Sequence, residues 1–431
     1  MILYRPLKYF ILYILITLSI SIWGPRVYVE YNTFIVSIYM ISFLVLFSIG
    51  YFWGMSVKTY PTQIIKNGIE PKKTVPYLKV CIIIALFIIL FNFIVMLISG
   101  KISLSLSTIG QNYNNYYLDH NSGEKSSTIQ SILFMLMGFP KFVTMVLGIY
   151  NFKDLSKSYR CSVITVFILS ILTNTISIGN QKSLGDIVIY IMIICIIKML
   201  DLSPIKRKKI ITRVIWLGTL FSVCLSIIQY QRLVSDGTTI FNINERFTWR
   251  SSYNFEHIFF RIFGYKFGFG LAQFITGYLS GGYYGLSLCL QLPFVWTYGV
   301  GSSYSFMVYL DRFFGISSIL DCTYLMRMER LTGWHGLVAW NTIFPWLASD
   351  LTFVGAIFIF IPIAYVYAVC WKEIVRYRNP VSILMFSMLT MGLIFIPANN
   401  QLLHGVDSFI TTIVMSILWI TSHKKYNFIQ I

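Results

Sequence analysis

The stretch from Tyr77 to Ser99, YLKVCIIIALFIILFNFIVMLIS, decides the fold class. Lys79 is its one charged residue, and the rest is isoleucine, leucine, phenylalanine and valine with little else. A bilayer core is crossed by about 20 predominantly apolar residues whose backbone groups all bond within the segment, so the run reads as a membrane helix. Working outward, the same reading predicts spans over roughly 8–23, 34–53, 77–99, 129–150, 160–178, 184–200 and 210–229, then 351–371, 380–397 and 408–422. The whole chain agrees: of 431 residues, 56% are hydrophobic and 12% charged, where a soluble surface takes about a quarter charged. An all-α polytopic membrane protein is expected, one integral membrane domain over 1–431.

The net charge of +18 is spread in short clusters between the apolar runs, which excludes a nucleic-acid groove and fits membrane orientation. Segments 1–8, 54–75, 151–160, 201–213, 371–378 and 423–425 hold 2, 4, 3, 5, 3 and 2 lysines and arginines; 24–33, 100–128, 177–183 and 398–407 hold 1, 2, 1 and 0. Both termini are therefore expected in the cytoplasm of a bacterial inner membrane. The first run ends in Ser-Ile-Trp-Gly-Pro without a small-residue cleavage pattern and reads as a retained span. The seven cysteines show neither CxxC nor Cys/His spacing, which argues against a disulfide framework or a zinc site.

Residues 230–350 then lie on the exported face, and loops of that length usually carry function. The segment opens polar and aromatic, then turns apolar between Phe267 and Tyr309 but is broken by glycine and proline. A re-entrant pair, two short spans or a surface layer would each fit, giving ten spans or twelve. Non-helical backbone at membrane depth needs protein or water beside it, so a cavity is expected here.

Eight cations lie in this segment: Arg232, Arg246, Arg250, Arg261, Lys266, Arg312, Arg327 and Arg330. One reading is a solvated surface. The other is a diphosphate clamp, since arginine's planar fork bonds two phosphate oxygens at once. Arg327 and Arg330, three apart, lead the clamp candidates. Lys182, in a short Ser- and Gly-containing turn, either binds phosphate or snorkels, with Asp186 one turn away. Candidate bases are His335 and Asp350, with His404 and Asp407 as a second pair. Asp350 would alternatively cap the helix expected from 351. Tyr283, Tyr284, Trp334 and Trp340 are candidate sugar-stacking rings, beside the alternative of interfacial belt or core.

The stretch Thr276-Gly-Tyr-Leu-Ser-Gly-Gly-Tyr-Tyr-Gly-Leu-Ser-Leu288, with Trp296-Thr-Tyr-Gly-Val-Gly-Ser302, Gly333-Trp-His335, Trp340-Asn-Thr-Ile-Phe344 and Ala348-Ser-Asp-Leu-Thr-Phe-Val-Gly355, resembles the exported signature of the Wzy-type oligosaccharide repeat-unit polymerases. The resemblance covers 276–355 closely and the rest in span count and loop placement. It implies a GT-C-like helical membrane fold without metal or other cofactor. The activity it implies joins undecaprenyl-diphosphate-linked repeat units into O-antigen or capsule polymer, inverting the anomeric centre. Membrane lipid and a chain-length-regulating co-polymerase would be its partners. Family members often place arginine where Gly179-Asn-Gln-Lys182 has lysine. On this implication His335 or Asp350 is the base, while Lys182, Arg232, Arg246, Arg250, Arg327 and Arg330 serve the diphosphates. The rival readings are an O-antigen ligase and a flippase for the lipid-linked oligosaccharide. The glycine-aromatic stretch favours the polymerase over the ligase. Few charges within spans and no internal repeat disfavour the flippase.

Overall fold

The computed structural model describes residues 2–59, 75–100, 102, 112, 128–180, 182–235, 237 and 250–427. In chain order it contains α1 (Arg5–Trp23), β1 (Arg26–Tyr28), α2 (Thr33–Ser56), α3 (Val75–Ile98), α4 (Thr128–Tyr150), α5 (Lys157–Ser170), α6 (Lys182–Lys198) and α7 (Pro204–Ser235). There follow β2 (Ser251–Tyr253), α8 (Ile258–Phe263), α9 (Tyr265–Gln273), α10 (Gly282–Cys289), α11 (Tyr304–Phe314), α12 (Ser318–Cys322) and α13 (Tyr324–Thr332). The last four are α14 (Ile343–Phe358), α15 (Phe360–Tyr377), α16 (Pro380–Ile394) and α17 (Val406–Asn427). Wide π-turns continue α5 over Ile171–Ser177 and α9 over Phe274–Leu279.

Each of the ten expected apolar runs is helical. Among the described residues, seven helices are long and apolar enough to cross a membrane, or eight if the pair α14 and α15, bent by 57°, makes one span. Two shorter apolar helices, Gly138–Tyr150 and Pro380–Ile394, lie at two more of the ten expected positions. The helix expected from 351 begins at Ile343 and is broken inside by Thr352. The 15 residues of α16 fall short of the roughly 20 a bilayer needs. Between 267 and 310 the chain forms α9 with its π-helical continuation to Leu279, then α10 and α11, none of which reaches the roughly 20 residues of a full span. Large apolar side chains face outward on the long helices, Phe34 72% and Phe87 67% exposed. Water would penalise such surfaces, whereas hydrocarbon accommodates them. The chain is an all-α polytopic membrane protein.

Cα packing divides it into two compact units, one from 1–59, 238–372 and 388–409, the other from 60–237, 373–387 and 410–431. In lipid the hydrophobic effect does not favour helix contact over lipid contact, so the first unit is held by close fit and aromatic packing. The GxxxG spacing of Gly50 and Gly54 on α2 lets its backbone meet α15: a Cβ at Gly50 would sit 2.2 Å from the Ile361 carbonyl oxygen, and one at Gly54 2.5 Å from that of Tyr365. Phe43 of α2 lies 5.1 Å from Phe344 and 4.9 Å from Phe360, ring centre to ring centre. Lys372, 4% exposed, donates to the carbonyls of Met55 and Val57 at 2.6 Å each. It satisfies acceptors that the end of α2 leaves unbonded.

In the second unit, Ala85, Ile88 and Ile89 of α3 pack against Val166 and Leu169 of α5. The buried Glu373 carboxylate accepts from Asn379 at 3.0 Å and from the Ser382 hydroxyl, and pairs with His423 at 2.8 Å.

The all-α expectation omits one element of the first unit, the antiparallel ribbon of β1 and β2. Its register pairs Arg26 with Tyr253, Val27 with Ser252 and Tyr28 with Ser251. Side chains alternate along a strand, so Arg26 and Tyr28 share one face with Ser251 and Tyr253.

Candidate functional site

The site forms in the first unit, where this ribbon meets the π-turn after α9, helix α10 and the chain leaving α13. The exit from α13 is set by Gly333, whose φ of 73° is the left-handed conformation that ends a helix. The chain then doubles back over the last turn. Gly336 must be glycine for this approach, since a Cβ there would lie 2.6 Å from the Leu325 carbonyl oxygen.

The return brings His335 onto Glu329, one turn before the helix end. His335 Nδ1 stands 2.8 Å from Glu329 Oε1, and the Gly336 N–H donates to Glu329 Oε2 at 2.9 Å. A carboxylate accepts, so the pair favours a proton on Nδ1; in the neutral imidazole that tautomer has its lone pair on Nε2. A histidine oriented by a carboxylate is the geometry of a general base. Both side chains are accessible, 37% exposed for His335 and 27% for Glu329. His335 is a sequence-predicted candidate; Glu329 is not.

The neighbouring Trp334 is a wall of an aromatic box. Its ring meets Tyr284 edge-on at 4.8 Å, and Tyr284 stacks on Tyr28 at 4.5 Å. The Tyr253 hydroxyl joins the box to the π-turn through Gln273 and Thr276. Two arginines enter it. The Arg26 guanidinium lies 5.3, 5.7 and 5.8 Å from the ring centres of Tyr28, Tyr253 and Trp334. Arg250 donates from Nε to the Tyr284 hydroxyl at 2.9 Å and pairs with Glu30. Arg250 and Glu30 both have positive φ, 54° and 55°, a conformation non-glycine residues rarely hold and one that clusters at functional sites. Burial pushes the Tyr28 phenol up to about 12, against the opposing pull of Arg26. Burial likewise raises Tyr253 and Tyr284, so these rings present neutral hydroxyls.

Among the other predicted residues, Asp350 is committed to structure. Its carboxylate accepts from the Thr297 hydroxyl, from the Gly301 and Ser302 N–H groups at 3.1 and 2.9 Å, and from the Ser302 hydroxyl at 2.8 Å. It pins the Trp296–Ser302 stretch to α14. Nor does it cap the following helix. Thr352, with φ of 64°, does so by accepting from the Gly355 N–H at 3.3 Å.

Arg327 and Arg330 share α13, but their guanidiniums do not converge as a clamp. Arg327 donates to the carbonyls of Cys322 and Pro293 at 3.0 and 2.8 Å and lies over the Tyr324 ring. Arg330 turns to Asp321, at 3.6 Å between charged groups. Lys182 opens α6 and Arg232 lies near the end of α7, both in the second unit. Arg246 lies outside the described residues.

Of the predicted sugar-stacking rings, Tyr283 and Tyr284 are fully buried and Trp334 is 3% exposed; their faces are covered by protein. Tyr283 exchanges a hydrogen bond with Thr17 at 2.9 Å. Trp340 differs: it is half-buried and packs against half-buried Tyr278 at 4.4 Å, leaving ring surface accessible. His404 stacks on Tyr304 at 5.1 Å and meets Trp346 edge-on.

The structure therefore brings together His335, Trp334, Tyr284 and Arg250 from the predicted set and adds Glu329, Glu30, Arg26, Tyr28 and Tyr253. Two signals point to Glu329 in the sequence: Gly333 as a helix stop, and a histidine two residues beyond it, where the reversing chain returns to the preceding turn. Comparison with protein-family models, with curated proteins and with solved structures finds no match.

Proposed function

We propose that the chain is a glycosyltransferase that polymerises undecaprenyl-diphosphate-linked oligosaccharide repeat units at the exported face of a bacterial inner membrane. The observation that carries the reading is the His335–Glu329 pair, seated beside a wall of the arginine-bearing aromatic box. On this reading both termini are cytoplasmic, the fold is GT-C-like and a chain-length regulator is a partner.

The diphosphate linkage is the energy source. His335 Nε2 takes the proton of an acceptor-sugar hydroxyl while Glu329 holds the ring through Nδ1. The hydroxyl oxygen attacks the anomeric carbon of the growing chain. The new C–O bond forms as the bond to the lipid diphosphate breaks, and the diphosphate departs with both electrons. One displacement inverts the anomeric centre. Arg250 is the predicted cation best placed to meet the charge on the departing group, because its Glu30 partner is 76% exposed and easily exchanged for another anion. Charge stabilisation of this kind is usually the largest catalytic contribution. Tyr278 and Trp340 offer a stacking surface for a sugar ring. Asp350 positions the Trp296–Ser302 loop in this scheme, and Arg327 and Arg330 order α13.

The test is conversion of purified lipid-linked repeat units into longer lipid-linked chains by the wild type and by His335→Ala. Undiminished chain growth in the variant would remove His335 from the reaction.

A further inference from the structure

We infer that Arg26 is the seat of a phosphate-class anion. The inference concerns binding alone and stands whether or not the chain polymerises.

A guanidinium carries five N–H donors and one full charge. Here Nε and Nη2 of Arg26 both donate to the Ser251 hydroxyl, at 3.1 and 2.8 Å, and the Tyr253 phenol is a further hydrogen-bond partner; both are neutral groups. Among the described residues no carboxylate lies within ion-pair distance of Arg26. Its near neighbours are three aromatic rings, and the phenols among them are held neutral by burial. Each ring contact offsets a little of the cost of desolvating the charge. Arg26 is half-buried, and drawing a cation part of the way out of water without a counter-charge is unfavourable. The rings therefore offset only part of the penalty, and an anion completes the site. Arginine's planar fork suits two phosphate oxygens.

Position indicates where that anion comes from. Arg26 follows the end of α1 by three residues. An apolar groove of about 510 Å³ runs along Leu15, Ile16, Ile20 and Trp23 to Gly24 and Pro25, the residue before Arg26. Its opposite wall includes Ala272 and Ile275. The next residues along, Gln273 and Thr276, hold the hydroxyl of Tyr253, whose ring faces Arg26. The apolar groove thus reaches Pro25, the residue immediately before this cation. That is the arrangement a phosphorylated lipid requires, although free phosphate or diphosphate offers Arg26 the same chemistry.

The test is the rate at which phenylglyoxal modifies Arg26, followed by peptide mass spectrometry on wild-type protein in phosphatidylcholine nanodiscs. Inorganic diphosphate is added in one arm, phosphatidic acid replaces part of the lipid in a second, and chloride at matched ionic strength is the control. Protection of about fivefold or more by phosphatidic acid alone supports a lipid headgroup site. Equal or greater protection by diphosphate supports a free-anion site. No protection by either overturns the inference. Binding of the protecting anion is then measured on Arg26→Gln and Arg26→Lys. It should weaken about tenfold in the first and less in the second, since lysine keeps the charge without the fork. Equal affinity in wild type and Arg26→Gln also overturns it. The modification arm needs no variant and so decides the question even if Arg26→Gln fails to fold.

Discussion

Replacing Glu329 by glutamine removes one charge and almost no volume. In the native site both carboxylate oxygens accept, one from His335 Nδ1 at 2.8 Å and one from the Gly336 N–H at 2.9 Å. Glutamine has one acceptor oxygen and one donor amide, so it cannot serve both. If the oxygen stays on Gly336, the amide donates to Nδ1 and the imidazole proton moves to Nε2, which turns the base into a donor. If the oxygen stays on His335, two donors face each other at Gly336, at about 1–3 kcal/mol. The first arrangement is the less strained. The chain-growth rate should then fall by about 10²–10⁴-fold, the range expected when an orienting carboxylate is lost and the wrong tautomer is selected. Because the pair is partly exposed, stability should change by no more than about 1–2 kcal/mol. The assay is the initial rate of ladder formation from lipid-linked repeat units, beside a thermal melt. Glu329→Asp should recover part of the rate, since a shorter carboxylate still only accepts. A Glu329→Gln enzyme within about threefold of wild type would refute the assignment of Glu329 and weaken that of His335.

Asp350→Ala removes the acceptor of four hydrogen bonds and should destabilise the fold by about 3 kcal/mol or more. A detergent melt should show a clear drop there and almost none for His335→Ala. Gly54→Ala places a methyl 2.5 Å from the Tyr365 carbonyl oxygen and 2.8 Å from Ala368 Cβ. A loss of about 1–3 kcal/mol is expected, read as lower melting temperature and yield. Trp340→Ala removes the more apolar face of the Tyr278 pair. The half-saturating concentration of repeat unit should rise about three- to tenfold, the worth of one aromatic stacking contact, with a smaller change in maximal rate.

The helical framework was legible because membrane spans declare themselves locally. A run such as 77–99 needs no distant partner to be recognised. The ribbon was not legible: two three-residue strands lie more than 200 residues apart, and neither alone exceeds the noise of loop sequence. Arg26 therefore counted only as one loop cation in the orientation argument, although the ribbon places it at the centre of the box. His335 was visible as a histidine in a glycine-aromatic turn. Glu329 passed as an exposed charge on a short helix, because its role depends on the chain reversing at Gly333. For Tyr283 and Tyr284 burial fits the core alternative: the glycines around them let backbones approach so closely that both rings are buried. A Cβ at Gly282 would lie 2.2 Å from the Pro397 carbonyl oxygen. Asp350 was read from its position at a helix start; a helical stretch does begin after Thr352, but Thr352 caps it, and the Asp350 carboxylate turns to the Trp296–Ser302 loop instead.

The central claim is chemical, and one experiment addresses it most directly. Purified protein in nanodiscs is given undecaprenyl-diphosphate-linked repeat units, and the products are separated by size. The account predicts a ladder of longer lipid-linked chains that disappears with His335→Ala and is sharply reduced with Glu329→Gln. Wild-type protein that forms no longer chains, but moves the intact substrate across proteoliposomes or transfers it to a lipid A core acceptor, would contradict it.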